Sequence, residues 1–224
     1  SERGKHIRLR IKTNDEPYLK EIINPFFNSF FKKKPSSRER ESLDNYPNNS
    51  IQYISYEPEY DRYGGKKGME SAEEQFYISS ETTRKIMENT PKWDYESAMG
   101  ISIQLQLVFL SAAGFDRSES IAFFDFYYKK WSTILPESAL PKPEQIDSQQ
   151  EVIHFIQSFW KKLKGIPTFE NHILEDWHFQ NRELMIAFDL TNYYDDYLHL
   201  LNNRLGIFNI DEVFLAKLLH KSML

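Results

Sequence analysis

Strict alternation opens the chain. In residues 6–12, HIRLRIK, Ile7, Leu9 and Ile11 fall on one side of an extended backbone and His6, Arg8, Arg10 and Lys12 on the other. That is the period-two pattern of a half-buried strand. Residues 51–57, IQYISYE, alternate again and read as a second strand, with a Gly-Gly turn after it at 64–65. Between them, Asn14 or Asp15 can cap a helix that starts near Pro17 and runs through YLKEIINPFFNSFF. Pro25 is expected to break or kink that helix. The polar stretch 32–50 reads as an exposed loop.

From about residue 69 the apolar spacing lengthens from two to the helical 3.6. It predicts helices near 70–90, 95–113, 117–134, 148–163, 171–203 and 209–221, with Ser118 and Asp147 as caps and Gly114, Gly165 and Gly206 as stops. The Pro-rich LPESALPKP at 135–143 links two of them. Strands early and helices late predict an α+β fold, a small antiparallel sheet packed with a largely helical second half, forming a single domain over residues 1–224. Two strands make a poor sheet, so further strands are expected ahead of Ser1.

Composition sharpens this picture. Aromatics reach 15%, with 17 Phe and 13 Tyr against only 8 Gly in 224 residues, which suits helices packed through rings. The net charge is −5 and the sequence pI about 5.7, so overall charge gives no support for direct nucleic-acid binding. With no cysteine, disulfides, Cys-ligated zinc and thiol nucleophiles are excluded. No apolar run of about 18 residues suggests a transmembrane segment, and nothing resembles a signal peptide. The expectation is a cytoplasmic protein. The six histidines show no HExxH spacing, and no Walker, GxGxxG or GxSxG motif is present, so neither a metal nor a cofactor is expected.

Three places could carry chemistry. Arg8 and Arg10, two apart, would project the same way about 7 Å apart on a strand. Paired guanidiniums there suit bidentate capture of a carboxylate or phosphate, or form a solvated face. In YEPEYDRYGG, residues 56–65, acidic and aromatic residues crowd around Arg62 ahead of glycines that permit a tight turn. An ion-pair network is the expectation there, as a structural turn or as a site. In DDYLHLLNNRLG, His199 shares a helical face with Asp195, Asp196, Asn202 and Asn203. Asp195, one turn earlier, could orient the imidazole for acid–base work, or His199 could be a hydrogen-bonded structural residue.

Together HIRLRIK (6–12), YEPEYDRYGG (56–65), GMESAEEQF (68–76) and LHLLNNRLG (198–206) resemble, in order and over most of the chain, the thiopeptide-type bacteriocin biosynthesis domain. That domain forms the C-terminal elimination part of class I lantibiotic dehydratases. Where the family commonly ends its helix in Asp-Ser, this chain has Ser79-Ser80. The resemblance implies that a separate large, glutamyl-tRNA-dependent dehydratase domain or subunit esterifies Ser or Thr of a ribosomal precursor peptide with glutamate. This domain would then eliminate the glutamate, leaving dehydroalanine or dehydrobutyrine. It further implies catalytic roles for Arg8, Arg62 and His199, with Arg10, Tyr63 and Asn203 contacting substrate, a homodimer, and a lanthionine cyclase as a further partner. Relatives of the same kind build a pyridine ring from two dehydroamino acids, and a non-catalytic peptide-binding module is the third possibility.

Overall fold

The computed structural model describes residues 7–36, 42, 44–164, 167, 169, 171–188 and 193–224. His6 of the first alternating segment and the expected stop Gly165 lie outside them. The chain divides into two compact units, Ser1–Pro58 and Glu59–Leu224.

The α+β expectation is overturned: among the described residues there are helices and no strand or sheet. Alternation establishes that a segment could present one apolar face. A strand also requires a neighbouring strand to take its backbone N–H and C=O groups. Residues 7–12 and 51–57 carry the alternation without a ladder, and Ile7, Leu9 and Ile11 are 88%, 60% and 49% exposed. The first unit instead contains α1, Glu16–Lys33. Asp15 caps it, accepting from the Tyr18 N–H at 2.9 Å. The helix passes through Pro25 unbroken, although that residue can give no N–H to the carbonyl of Glu21. The Asp15 cap, Glu16 in the first turn and Lys32 and Lys33 in the last each favour the helix through its end charges. Tyr53 lies under Lys20, 4.8 Å from its ring centre, and donates to Asn24 at 2.9 Å.

Among its described residues the second unit is built from helices joined by loops: α2 (Lys66–Asn89), α3 (Tyr95–Ala112), α4 (Arg117–Ser132), a 3₁₀ turn (Glu137–Ala139), α5 (Pro143–Asp147), α6 (Gln150–Leu163), α7 (His172–Ala187), α8 (Tyr194–Leu205) and α9 (Asn209–Met223). The expected single helix over 171–203 is two helices. Phe188 turns extended and ends α7. Caps also move. Asp116, not Ser118, starts α4, in a reciprocal pair with Glu119, and Asp147 closes α5 instead of opening α6. Gly206 ends α8 as expected, at φ +81°.

α3 is the central element, buried along most of its length and packed on α6, α7, α8 and α9. A helix apolar nearly all round belongs in such a position. Trp177 of α7, fully buried, donates its indole N–H to the Leu105 carbonyl at 2.9 Å. α4 lies along α9, and α2 packs on α7 and α8. α8 packs on α2 and α3, and its polar side chains reach α4 at Lys130 and α9 at Glu212.

The RYGG segment feeds α2. Tyr63 is buried and stacks on Tyr197 of α8 with ring centres 5.9 Å apart and planes 3° from parallel. That anchors the turn that carries Arg62. Gly64 sits at φ +70°, and a Cβ there would lie 2.4 Å from the Tyr193 hydroxyl oxygen. Gly68, in the first turn of α2, is tighter: a Cβ would lie 1.6 Å from the Tyr63 carbonyl oxygen. Backbone cannot yield as a side-chain tip can. Gly68→Ala is therefore expected to displace the RYGG turn and destabilise by about 3 kcal/mol or more. Gly100→Ala, within α3 and with nothing inside 4 Å of the new methyl, is expected to gain about 0.5–1 kcal/mol. Paired thermal melts check the contrast, and equal melting temperatures would refute it.

Candidate functional site

α8 organises the site. Asp195, Asp196, His199, Asn202 and Asn203 recur at helical spacing and turn one polar face toward α4 and α9. Asp195, Asp196 and Asn202 are buried. Buried carboxylates need partners, and each finds one.

Asp196 takes Arg62. The guanidinium donates from Nη2 to Oδ1 at 2.8 Å and from Nε to Oδ2 at 3.3 Å, the two-bond fork that arginine favours. Its Nη1 donates to Glu59 at 3.1 Å. The carboxylates raise the Arg62 pKa further above its ordinary value, so it is a fixed cation. Lys130 of α4 bonds Asp195 closely and reaches Asp196 at 3.4 Å. Burial pushes the Asp196 carboxyl up, but the hydrogen bonds and charge of Arg62, with Lys130, outweigh burial and bring it below its ordinary value. In Asp195 burial prevails, helped by the charge of Asp196 against the pull of Lys130, and the carboxyl is raised. The ion-pair network expected around Arg62 is thus built mainly with α8, which lies 134 residues further along the chain.

His199 lies one turn after Asp196. Its Nδ1 is 2.8 Å from Oε2 of Glu212 in the first turn of α9, and its Nε2 is 3.0 Å from Nδ2 of Asn203. The ring stacks on Trp131 of α4 at 3.7 Å and 15°. Glu212 is 1% exposed. Its other oxygen, Oε1, accepts a very short bond from the Tyr127 hydroxyl and a bond from the Asn202 amide at 3.2 Å. Asn202 in turn accepts from Ser102 at 2.6 Å, and Ser102 accepts from Gln106 at 2.9 Å. Burial, then the charge of Glu212, raises the Tyr127 pKa well above 10, so its hydroxyl stays a donor. Asp195, expected to orient the imidazole, is engaged by Lys130; Glu212 holds the ring.

The remaining candidates separate. Tyr63 is core, and Asn203 is exposed beside His199. Arg8 and Arg10 belong to the first unit, exposed, with the Arg10 guanidinium 5.8 Å from the Tyr56 ring centre. Lys130, Trp131 and Glu212 escaped the sequence reading. Helical spacing links residues within an element, whereas these three reach α8 from two other helices. The available signal was Glu212 itself, a carboxylate leading the apolar run VFLA. An apolar groove of about 590 Å³ between α3, α6 and α9, lined by Met99, Ile103, Val152, Phe155, Phe214 and Leu218 among others, contains none of these polar groups. Among the described residues no group of three or more His, Asp or Glu could hold a metal ion, and no helix is long and apolar enough to cross a membrane.

A family model described as the C-terminal part of the lantibiotic biosynthesis dehydratase matches residues 1–223. No curated protein and no solved structure matches the chain.

The two aspartates make opposite pH predictions. A carboxyl lowered in the fold contributes stability above its unfolded pKa and loses it as pH falls through the folded value, so Asp196 stabilises at neutral pH and weakens the fold in acid. A raised carboxyl binds its proton more tightly in the fold, so Asp195 costs stability as pH rises. Asp196→Asn is expected to lose about 2 kcal/mol at pH 7, moderated because the half-exposed Arg62 regains water. Asp195→Asn is expected to lose clearly less. Urea melts from pH 3 to 7 check both the order and the convergence of Asp196→Asn with wild type in acid.

Proposed function

Because this chain belongs to the lantibiotic biosynthesis dehydratase C-terminal family, we propose that it carries out β-elimination of glutamate from glutamylated Ser or Thr of a ribosomal precursor peptide. The setting is lantibiotic-type dehydration, with a precursor peptide and partner dehydratase domains. The supporting observation is that one helix, α8, holds both a fixed arginine, through Asp196, and an oriented imidazole, His199, one turn apart.

The elimination needs those two groups. His199 accepts the Cα proton. The Cα–H electrons become the Cα=Cβ bond, the Cβ–O bond breaks, and glutamate departs as a carboxylate; the imidazolium then gives up its proton. Arg62 uses three of its five N–H groups on Asp196 and Glu59, and 44% of its side chain is exposed. The remaining N–H groups can meet a substrate oxygen. The cluster is not a trap of net positive charge, since Arg62 and Lys130 face Glu59, Asp195 and Asp196. Arg62 in this reading contributes aimed donors to the enolate or the leaving carboxylate. The family resemblance also implies a catalytic role for Arg8 and a substrate contact for Arg10, both in the first unit. Asn203, exposed beside Nε2, contacts the substrate.

The test is incubation of the chain with a glutamylated precursor peptide, followed by mass. The expected product lacks glutamate and is one water lighter than the unmodified peptide. His199→Ala and Arg62→Ala are each expected to slow elimination by about 10²–10⁴-fold. Arg62→Lys should not rescue, because an ammonium cannot span Asp196 in two bonds. Undiminished elimination in Arg62→Ala would remove Arg62 from the mechanism. A peptide that binds but stays glutamylated would make the domain a binding module.

A further inference from the structure

We propose that Glu212 is the positioning residue that holds His199 as its Nδ1–H tautomer, leaving the Nε2 lone pair to take the substrate proton; this rests on the elimination reading above. The hydrogen-bond inventory around the carboxylate carries the inference. Oε1 already receives the Tyr127 hydroxyl and an Asn202 N–H, and Oε2 faces Nδ1 of His199. Asn202 cannot reverse its amide cheaply, because its oxygen receives the Ser102 hydroxyl, which is fixed by Gln106. Burial keeps Tyr127 protonated. Two neighbours of Glu212 are thus fixed as donors to Oε1, which suits an acceptor-only carboxylate, and Oε2 is left to accept from Nδ1 of His199 in the proposed tautomer.

The other side of the ring agrees. Asn203 presents Nδ2 to Nε2 at 3.0 Å, the donor that an unprotonated Nε2 would accept. Asn203 is exposed in the last turn of α8, so its amide can turn from Nε2 to the bound substrate as a substrate Cα–H takes its place. Trp131 stacked at 3.7 Å blocks one ring face and prevents tilting. When Nε2 takes the proton, the resulting imidazolium lies against a buried carboxylate, which stabilises the charge as it develops. The arrangement has the logic of an acid–base histidine oriented by a buried acid.

Glu212→Gln tests it, because the variant keeps the shape and reverses one bond. The Gln oxygen can serve Tyr127 and Asn202, but its NH₂ then points at Nδ1. The ring must accept there and carry its hydrogen on Nε2, the wrong tautomer for a base. With ¹⁵N-labelled histidine, and His199→Ala to identify the signal, the wild-type ring is expected to show protonated Nδ1 and bare Nε2. In Glu212→Gln the pattern should invert. The kcat for elimination should fall about 10³–10⁴-fold with KM within about twofold, a split that general loosening of the fold would not give.

A wild-type ring protonated at Nε2 overturns the inference, even if the variant does not fold. Unchanged ¹⁵N shifts and kcat in Glu212→Gln overturn it too, while an inactive His199→Ala leaves the elimination reading standing. Full elimination by His199→Ala leaves the elimination activity standing but removes His199 as its base, and so overturns the inference; the ¹⁵N pattern would then report only a structural tautomer.

Discussion

Three carboxylates buried on or against one helix constrain the rest of this fold. Asp195, Asp196 and Glu212 are each almost entirely removed from water. An unpaired charge in such a place would cost several kcal/mol, so the surrounding elements must deliver partners to within hydrogen-bond distance. α4 delivers Lys130 to the aspartates and Tyr127 to Glu212. The RYGG turn delivers Arg62. α3 delivers Ser102, which fixes Asn202. Removing any of these elements would leave a buried charge exposed to nothing, so the polar face of α8 ties α3, α4, α9 and the turn before α2 into one arrangement. The apolar core holds the helices together; the carboxylates restrict how they can be turned about their axes.

The same constraint explains the glycines of the turn. Arg62 reaches Asp196 in two bonds only if the backbone just after it folds sharply back, with Tyr63 laid flat on Tyr197 and its carbonyl oxygen where a Cβ on residue 68 would otherwise lie. The stacked pair and the fork are two attachments between the turn and α8. A shift that spoiled one would strain the other. Positioning of a guanidinium to a fraction of an ångström is what stabilising a developing charge requires, and aromatic packing supplies that stiffness here.

What the sequence revealed follows from the range over which each signal acts. Helical periodicity is local, and it located α2, α3, α4, α6 and α9 to within a few residues. The face shared by Asp195, Asp196, His199 and Asn203 was legible for the same reason. Alternation is local too, yet a strand is a non-local object. HIRLRIK and IQYISYE meet the local condition and lack the ladder among the described residues. Partners brought from other helices were not legible. Asp195 was the natural choice to orient His199 because it lies one turn away, but in the fold the nearer carboxylate comes from 13 residues further on, beyond the Gly206 stop.

The charge balance around Arg62 bears on what kind of site this is. An arginine that captures an anion by attraction is usually surplus to its surroundings. Arg62 and Lys130 instead face three carboxylates, Glu59, Asp195 and Asp196, and are still matched by two when the raised Asp195 is set aside. Such a cluster gives little to the affinity of a ground-state anion. It gives more to a transition state, in which negative charge appears at a defined point and meets N–H groups whose direction is already set and whose reorganisation cost has been met by folding. His199 follows the same rule, with a buried carboxylate on one side and an exposed, displaceable amide on the other. In the proposed elimination, these are the two groups that would couple a proton transfer to the departure of a carboxylate.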